Sequence, residues 1–289
     1  MIEIGIDPVA FLNIRWYGIM VALAILWIIA WVAWQVKRGA KISYDTLFNA
    51  ALVGIPSGII ISRVLHVVDN IVVAKLHPEL VARGAVLDYT QHPGQIIGAE
   101  GLTAYGAILG AALGIWIYSR FSRVKFSYFA DIIAPSIIIA QAVIGRIGCT
   151  INGCCYGLEA ANLPWSIYYT HPDSLAPLGV ALHPTQVYEI IYGLIVFGVL
   201  VALRRRFKPD GSLFMIYLGL YAIWRIGIDF LREGNPFLFG LDQAQIISII
   251  ILLIVVPVLA LRTRWVKKEE LIEAQEEVQE EAVEPSPEQ

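Results

Sequence analysis

Seven long apolar segments constrain this chain more than any other feature of its sequence. Four of them are uncharged for 17 to 21 residues, and three of similar length each carry one or two ionisable side chains. A hydrocarbon core about 30 Å thick needs roughly 20 helical residues to cross it. Lipid cannot hydrogen-bond backbone groups, so segments of this length must be helical. The sequence therefore predicts an all-α polytopic membrane protein with seven transmembrane helices, at about 16–36, 46–68, 101–119, 126–148, 186–203, 211–231 and 243–261.

The composition argues against several other classes of protein. Hydrophobic residues make up 57% of the chain and charged residues 16%, against roughly 45–50% and 25% in ordinary globular chains. The Lys and Arg residues form no basic face of the kind that binds nucleic acid. Three cysteines are too few for a secreted domain that depends on disulfides.

The basic residues predict the orientation of the chain, because cytoplasmic loops retain Lys and Arg. Fourteen of the 21 follow the first, third, fifth and seventh predicted helices. We therefore expect the N-terminus outside and the C-terminus in the cytoplasm. Residues 149–184 hold no Lys or Arg and should form a small extracytoplasmic cap between helices 4 and 5. Residues 1–264 form the membrane domain, and the charged tail 265–289 is predicted to be disordered or a solvated helix.

The predicted sixth helix carries a polar stripe inside an apolar segment. Tyr217, Tyr221, Arg225, Asp229 and Arg232 recur at intervals of four, four, four and three, which places them on one helical face. An ionisable residue in a spanning segment costs about 2.5–3.5 kcal/mol, so it indicates a functional role by default. The simpler interpretation is an Arg225–Asp229 pair that only neutralises itself.

A second buried arginine, Arg146, lies near the outer end of helix 4 and is followed by a Gly-rich exit. Its planar guanidinium suits a phosphate group and stays charged at any relevant pH. On facing helices, Arg146 and Arg225 would hold one phosphate at the outer membrane surface. The alternative is that Arg146 only extends to the interface. Arg63, His66 and Asn70 form a weaker polar face at the end of helix 2.

An ordered set of polar side chains leads from the predicted cap into helix 5. His183, Gln186, Tyr188 and Glu189 follow one another at this membrane boundary. Gln186 and Glu189 fall on adjacent turns of one helical face. The set favours a functional role over a purely structural one.

Small residues mark one face of helix 3. Gly106, Gly110 and Gly114 recur every four residues, which predicts close packing against another helix. Tyr105 comes directly before this seam and within a turn of the outer end of the helix. Its hydroxyl could therefore point into a substrate cavity at the outer side of the membrane.

The three cysteines, Cys149, Cys154 and Cys155, do not have the spacing of a zinc site. No histidine stands at a metal-ligand interval from them, so we expect no metal. An outward location would permit a disulfide between Cys149 and one of the other two. Packing as small apolar side chains is the default interpretation.

The order of these motifs over nearly the whole chain resembles the prolipoprotein diacylglyceryl transferase family. The marks are Arg-Trp-Tyr-Gly at 15–18, Arg63, Glu-Gly-Leu-Thr-Ala-Tyr-Gly at 100–106, Gly-Arg-Ile-Gly-x3-Asn-Gly at 145–153 with Tyr156 and Gly157, His-Pro-Thr-Gln-x-Tyr-Glu at 183–189, and Arg-x3-Asp-x2-Arg at 225–232. Many relatives have histidine where this chain has Tyr105.

The resemblance implies an enzyme of the bacterial plasma membrane with its active site towards the extracytoplasmic side. It would move the diacylglyceryl group of phosphatidylglycerol to the lipobox cysteine of preprolipoprotein signal peptides, releasing glycerol 1-phosphate and using no cofactor. The expected catalytic residues are Arg146, Arg225, Tyr105 and Tyr17, with the tyrosines assisting proton removal from the thiol. The expected substrate-binding residues are Arg146, Asn152, Arg63, Gly157, His183, Gln186, Tyr188, Glu189 and Arg15.

Two other functions use the same residues differently. A membrane thiol oxidoreductase would use the three cysteines as its redox centre. A lipid or anion transporter would use the buried arginines without forming a covalent product. Neither accounts for the ordered motifs.

Overall fold

The computed structural model describes residues 1–12, 14–76, 78–82, 86–96, 103–122, 124–232 and 239–266. The helices are α1 (Trp16–Lys37), α2 (Tyr44–Leu76), α3 (Pro78–Ala82), α4 (Ala104–Phe121), α5 (Phe126–Ile139), α6 (Gly145–Asn152), α7 (Thr185–Leu203), α8 (Ser212–Asp229) and α9 (Gln243–Arg262). A π-helical turn, Ala140–Ile144, joins α5 to α6.

Six of these helical segments are long and apolar enough to cross a membrane, which confirms a polytopic membrane protein. The third predicted segment coincides with α4, which contains a shorter apolar stretch, Gly106–Phe121. Five of the seven predicted helices have boundaries within three residues of the observed ones.

Two helix ends differ from the prediction. Helix α2 continues to Leu76 instead of ending at 68, because charged side chains interrupt an apolar run without breaking the backbone hydrogen bonds. The fourth helix was expected to stop at 148 but continues through α6 to Asn152. Gly153 ends it in the left-handed conformation, at φ 72°, which glycine adopts at little cost.

Short strands modify the all-α prediction. The strands are β1 (Ile2–Ile4), β2 (Val9–Phe11), β3 (Ile14–Arg15), β4 (Ile167–Tyr169), β5 (Phe207–Lys208) and β6 (Arg264–Trp265). Strand β1 pairs in parallel with β4, and the other strands form the antiparallel pairs β2–β3 and β5–β6. They lie outside the apolar segments, where water can satisfy unpaired backbone groups. Residues 153–184, between α6 and α7, fold around a small core in which Ile4, Ile167, Tyr169 and Leu182 are buried.

The chain divides into two compact units, Met1–Val32 with Ser127–Gln289, and Ala33–Phe126. In the second unit α2 and α4 pack along the predicted glycine seam. A Cβ added to Gly106 would lie 2.5 Å from the Cα of Ser62, and one added to Gly114 would lie 2.5 Å from Ser57 Oγ. The small residues therefore allow the two helices to approach closely, as the four-residue spacing predicted.

In the first unit, side chains of α5, α7, α8 and the π-helical turn form the main core, which includes Ile138, Ala142, Leu200 and Tyr217. Asp131 of α5, an ionisable residue within an apolar segment, has a structural task here. Its carboxylate accepts hydrogen bonds from the backbone N–H groups of Gly211, at 2.7 Å, and Phe214, at 2.8 Å. It thus caps the start of α8.

The described part of the chain includes two residues beyond the predicted domain boundary at 264. Trp265 belongs to β6, and the backbone N–H of Val266 donates to the Arg206 carbonyl at 2.9 Å. Residues 267–289 of the predicted tail lie outside the described residues.

Candidate active site

Arg146 forms a buried ion pair with a carboxylate from another helix. Its Nη2 lies 2.9 Å from Oε2 of Glu189, and the two side chains are only 13% and 3% exposed. Its Nη1 lies 3.8 Å from the Sγ of Cys149. The π-helical turn directly precedes α6, and turns of this kind occur frequently at functional sites.

The start of α7 holds Glu189 in place through hydrogen bonds to the chain that leaves α6. Thr185 Oγ1 donates to the Cys155 carbonyl at 2.7 Å, and Gln186 Nε2 donates to the Cys154 carbonyl at 2.8 Å. Gln186 and Glu189 are both almost fully buried, as expected for residues on adjacent turns of one face. The four polar residues predicted at this boundary therefore divide into two pairs. Gln186 and Glu189 are buried, whereas His183 and Tyr188 lie nearer the surface.

Arg225 and Asp229 form the ion pair on α8 that their spacing predicted. Arg225 Nη2 lies 3.2 Å from Asp229 Oδ1, and the side chains are 17% and 3% exposed. Asp229 is close enough to Glu189 to interact with it electrostatically. Tyr221, one turn before Arg225, interacts in the same way with Arg146. The polar stripe of α8 and the Arg146–Glu189 pair thus form one charge network, defined as Arg146, Glu189, Arg225 and Asp229.

Several polar atoms in and around the charge network are buried and have no hydrogen-bond partner among the described residues. They are Nε of Arg146, Oε1 of Glu189, Nη1 of Arg225, Oδ2 of Asp229, Oε1 of Gln186, Nε2 of Gln141 and Nε1 of Trp224. More than 90% of buried backbone polar groups and most buried side-chain ones are paired in native proteins. Such a concentration indicates a place where a polar ligand or water completes the hydrogen bonding. Two of the unpaired donors belong to guanidinium groups, so an anion fits best.

Gln141 is part of this region although the sequence gave it no role. Its side chain lies near Tyr217, a member of the α8 stripe. It stands five residues before Arg146, a spacing that does not share a face in a regular α-helix. The π-helical turn between them uses i→i+5 hydrogen bonds and changes that relation. A single amide in an apolar segment was the only available sequence signal.

Tyr17, Arg15 and Asn152 lie at α6, the helix that carries Arg146. Tyr17 is within electrostatic range of Arg146 and of all three cysteines. Arg15 Nη1 donates to Asn152 Oδ1 at 2.9 Å. Helix α1 approaches α6 closely here, since a Cβ on Gly148 would lie 3.0 Å from the Cβ of Met20. Three predicted site residues are therefore brought to the end of α6.

Gly157 is packed against backbone on several sides. Its N–H donates to the His183 carbonyl at 3.0 Å, and it forms a β-bridge with Arg232. An added Cβ would lie 2.5 Å from the Leu231 carbonyl oxygen and 2.6 Å from the Cβ of His183. This glycine thus joins the chain after α6 to the end of α8, and a larger residue would displace them.

His183 and Tyr188 contact each other near the surface. The His183 Nδ1 lies 3.4 Å from the Tyr188 hydroxyl, which accepts a hydrogen bond from Trp165 Nε1 at 2.8 Å. Below them, Tyr169 donates its hydroxyl to the Thr150 carbonyl at 3.1 Å. Burial raises the pKa of Tyr169, so this phenol stays protonated and serves as a donor.

Arg63 and Tyr105 belong to the second unit. Arg63 donates to the Gln95 and Ile96 carbonyls, at 2.5 and 2.9 Å, and its guanidinium lies 5.3 Å from the ring centre of Tyr89. Tyr105 lies in the first turn of α4, after the cap formed by Thr103, and its side chain is outside the described part. Their expected roles stay predictions.

Fold and side chains together define a polytopic membrane protein with a buried guanidinium–carboxylate network suited to an anionic group. A family model described as prolipoprotein diacylglyceryl transferase matches residues 6–261. The chain belongs to the prolipoprotein diacylglyceryl transferase family, as the resemblance of its motifs indicated.

Named relatives cover most of the chain. It is 45% identical over 272 residues to a phosphatidylglycerol–prolipoprotein diacylglyceryl transferase of Dehalococcoides mccartyi, covering 93% of this chain and 98% of the relative. A protein of the same name from Clostridium tetani is 33% identical over 84% of this chain and 91% of its own. One from Trichormus variabilis is 34% identical over 86% of this chain and 84% of its own.

Proposed function

We propose that this protein transfers the diacylglyceryl group of phosphatidylglycerol to the thiol of a lipobox cysteine in a preprolipoprotein signal peptide. A carbon–sulfur bond forms at C3 of the diacylglyceryl group, and the bond from that carbon to the phosphate oxygen breaks. Glycerol 1-phosphate leaves. The names of the relatives support this reaction. The observation that carries it is the pair of buried arginines, each of which keeps one donor, Arg146 Nε and Arg225 Nη1, without a partner among the described residues.

The main chemical difficulty is the negative charge that grows on the leaving phosphate. Arg146 and Arg225 would bind this phosphate and stabilise that charge, since both guanidinium groups are largely buried. A preorganised donor in such a site is worth about 2.7–4 kcal/mol. Glu189 and Asp229 fix the orientation of the Arg146 and Arg225 guanidinium groups. Other N–H groups of the two arginines are left for the ligand.

The thiol of the acceptor peptide must lose its proton before or during attack. Tyr17 is a candidate to assist, directly or through water, because it is electrostatically coupled to Arg146. Tyr105 is the other candidate, on the resemblance alone. Phenols have an ordinary pKa near 10, so either residue would depend on the nearby positive charge. Tyr17→Phe and Tyr105→Phe should slow transfer, and an unchanged pH–rate profile would remove that tyrosine from this role.

The remaining predicted residues would bind and orient the two substrates. Gln186 and Asn152 are buried and would present amide groups to the lipid headgroup. Arg15, His183 and Tyr188 would contact the headgroup or peptide at its edge. Arg63 would contact substrate at the outer end of α2. Gly157, which has no side chain, would allow the substrate to approach the protein backbone closely.

We also propose the membrane arrangement that the basic residues favour. The chain would cross the bacterial plasma membrane seven times, with its N-terminus outside, its C-terminus in the cytoplasm and residues 153–184 as an outward cap. Arg38 and Arg120, whose guanidinium groups stack on Trp34 and Trp116 at 4.4 and 4.6 Å, would then lie at the cytoplasmic interface. A reporter active only in the cytoplasm, fused after residue 289, should be active. A second fusion places the same reporter after Arg123. If the reporter after Arg123 is active and the one after residue 289 is inactive, the seven-span arrangement is contradicted.

The reaction is tested by mass spectrometry of a lipobox peptide incubated with the detergent-solubilised protein and phosphatidylglycerol. The account predicts a peptide with a diacylglyceryl thioether, together with glycerol 1-phosphate. A peptide with serine in place of the acceptor cysteine should give neither product. Intact lipid and peptide after incubation with folded protein would contradict the proposed function and favour transport or thiol redox chemistry.

A further inference from the structure

The fold gathers the three cysteines of the chain at one point. The Sγ atoms of Cys149, Cys154 and Cys155 all lie within 4.8 Å of one another, and none is in a disulfide. Cys149 is buried, and the other two are partly buried. The spacing in the sequence argued against a metal site because no histidine stands nearby, but the structure supplies three sulfur ligands without one.

Two left-handed backbone positions create this cluster. Gly153 has φ 72°, and the N–H of Cys154 donates back to the Cys149 carbonyl at 3.0 Å, so the chain reverses at the end of α6. Cys155 has φ 61°, a conformation that residues with a Cβ seldom adopt. Strained positions of this kind cluster at ligand-binding and active sites. Here the strained residue is Cys155, which carries one of the three thiols.

The surroundings of the cluster suit thiolates. Arg146 Nη1 donates to the Cys149 sulfur at 3.8 Å. Cys155 interacts electrostatically with Arg146 and Arg232. Three thiolates and one divalent cation carry a net charge of −1, which these guanidinium groups can balance. Soft sulfur ligands select ions such as zinc over calcium or magnesium.

We infer that Cys149, Cys154 and Cys155 form a three-thiolate binding site for a thiophilic d10 cation of the zinc class. On binding, three S–H bonds are lost, three metal–sulfur bonds form and three protons pass to solvent. The oxidation state of sulfur and metal does not change. Zinc–sulfur bonds of about 2.3 Å place tetrahedral ligands about 3.8 Å apart, so the thiols need only small movements. A fourth position would be open to water or another small ligand.

The first test is a titration of the reduced, metal-free, full-length protein in detergent with Cd2+. Because the chain has only three cysteines, any cadmium–thiolate absorption in the ultraviolet comes from this cluster. We expect the absorption to saturate at one Cd2+ per chain and to disappear when Zn2+ competes. Saturation at another ratio, or absence of the band, would overturn the proposal.

Variants then separate this site from the other candidate cation group of the described residues, Asp7, His171 and Asp173. Asp7→Asn should leave the thiolate band unchanged. Cys155→Ser should weaken Cd2+ binding by at least about tenfold, since even indirect partners of a metal site are worth that much. Equal affinity of Cys155→Ser and wild type would contradict a three-thiolate site.

A second measurement needs no variant and so does not depend on correct folding of a substituted protein. One equivalent of Zn2+ should protect all three thiols of the wild-type chain from alkylation by a maleimide, as counted by mass spectrometry. Protection of one thiol or none would overturn the proposal. Both measurements follow metal and thiols only, so their outcome is independent of the transfer reaction.

Discussion

The Arg146–Glu189 pair allows a quantitative test of how the charge network is held together. Nη2 and Oε2 are 2.9 Å apart, and the side chains are 13% and 3% exposed, so solvent screens the pair little. We consider Arg146→Met, Glu189→Met and the double variant, because methionine fills the space of an unbranched chain without a charge.

Each single variant leaves one buried charge without its partner, and this should lower the free energy of unfolding by about 3–5 kcal/mol. The double variant removes both charges, and replacing a buried pair by apolar residues of similar volume is often neutral. It should therefore be more stable than either single variant. The expected coupling energy is at least about 2 kcal/mol.

The assay is equilibrium unfolding in mixed micelles with increasing sodium dodecyl sulfate, followed by tryptophan fluorescence. All four proteins are compared at the same detergent concentration. If the effects of the two single changes add to within about 0.5 kcal/mol, the two side chains do not interact and the geometry of the charge network given above is wrong.

Three further predictions concern the scaffold. Asp131→Asn weakens the cap on α8 and should lower the free energy of unfolding by about 1–2 kcal/mol in the same micelle assay. Its transfer activity per folded molecule should equal that of wild type, and a lower activity would mean that this carboxylate acts in the reaction. Gly110→Ala places a Cβ 2.7 Å from a side-chain carbon of α2 and should cost about 1–3 kcal/mol, whereas Gly94→Ala, which meets nothing within 4 Å, should not; equal stability of the two would refute the seam. Gly157→Ala should lose transfer activity in the peptide assay because the new Cβ would lie 2.5 Å from a backbone oxygen, and activity equal to that of wild type would show that the backbone yields there.

Local patterns explain why most of the helices could be predicted. Length and absence of charge are properties of each segment alone, so α1 and α9 end within one residue of the predicted bounds. The glycine seam of α4 was visible for the same reason, since its four-residue period lies within one helix. The Arg225–Asp229 pair also follows from spacing along a single helix.

Contacts between distant segments could not be predicted. The partner of Arg146 is Glu189, 43 positions later in the chain, and nothing in either segment names the other. In the same way, the carboxylate of Asp131 is satisfied by the N–H groups of Gly211 and Phe214, 80 and 83 positions later in the chain.

The backbone conformation at several positions also could not be predicted from the sequence. Glycine commonly adopts the left-handed conformation found at Gly153, but nothing in its residue type marks Cys155 for the same conformation. The gathering of the three thiols depends on both. The π-helical turn before Arg146 is likewise set by tertiary packing and has no sequence signature of its own.

The central claim is that a buried arginine stabilises the charge on the leaving phosphate. The most direct measurement is the initial rate of glycerol 1-phosphate release at saturating phosphatidylglycerol and peptide, for wild type, Arg146→Ala and Arg120→Ala. The last variant removes an arginine that stacks on Trp116 and controls for the loss of a membrane-helix arginine. The account predicts a rate lower by roughly 100- to 1,000-fold for Arg146→Ala and a nearly unchanged rate for Arg120→Ala. A rate for folded Arg146→Ala within about twofold of wild type, below the smallest effect expected of such a donor, would contradict it.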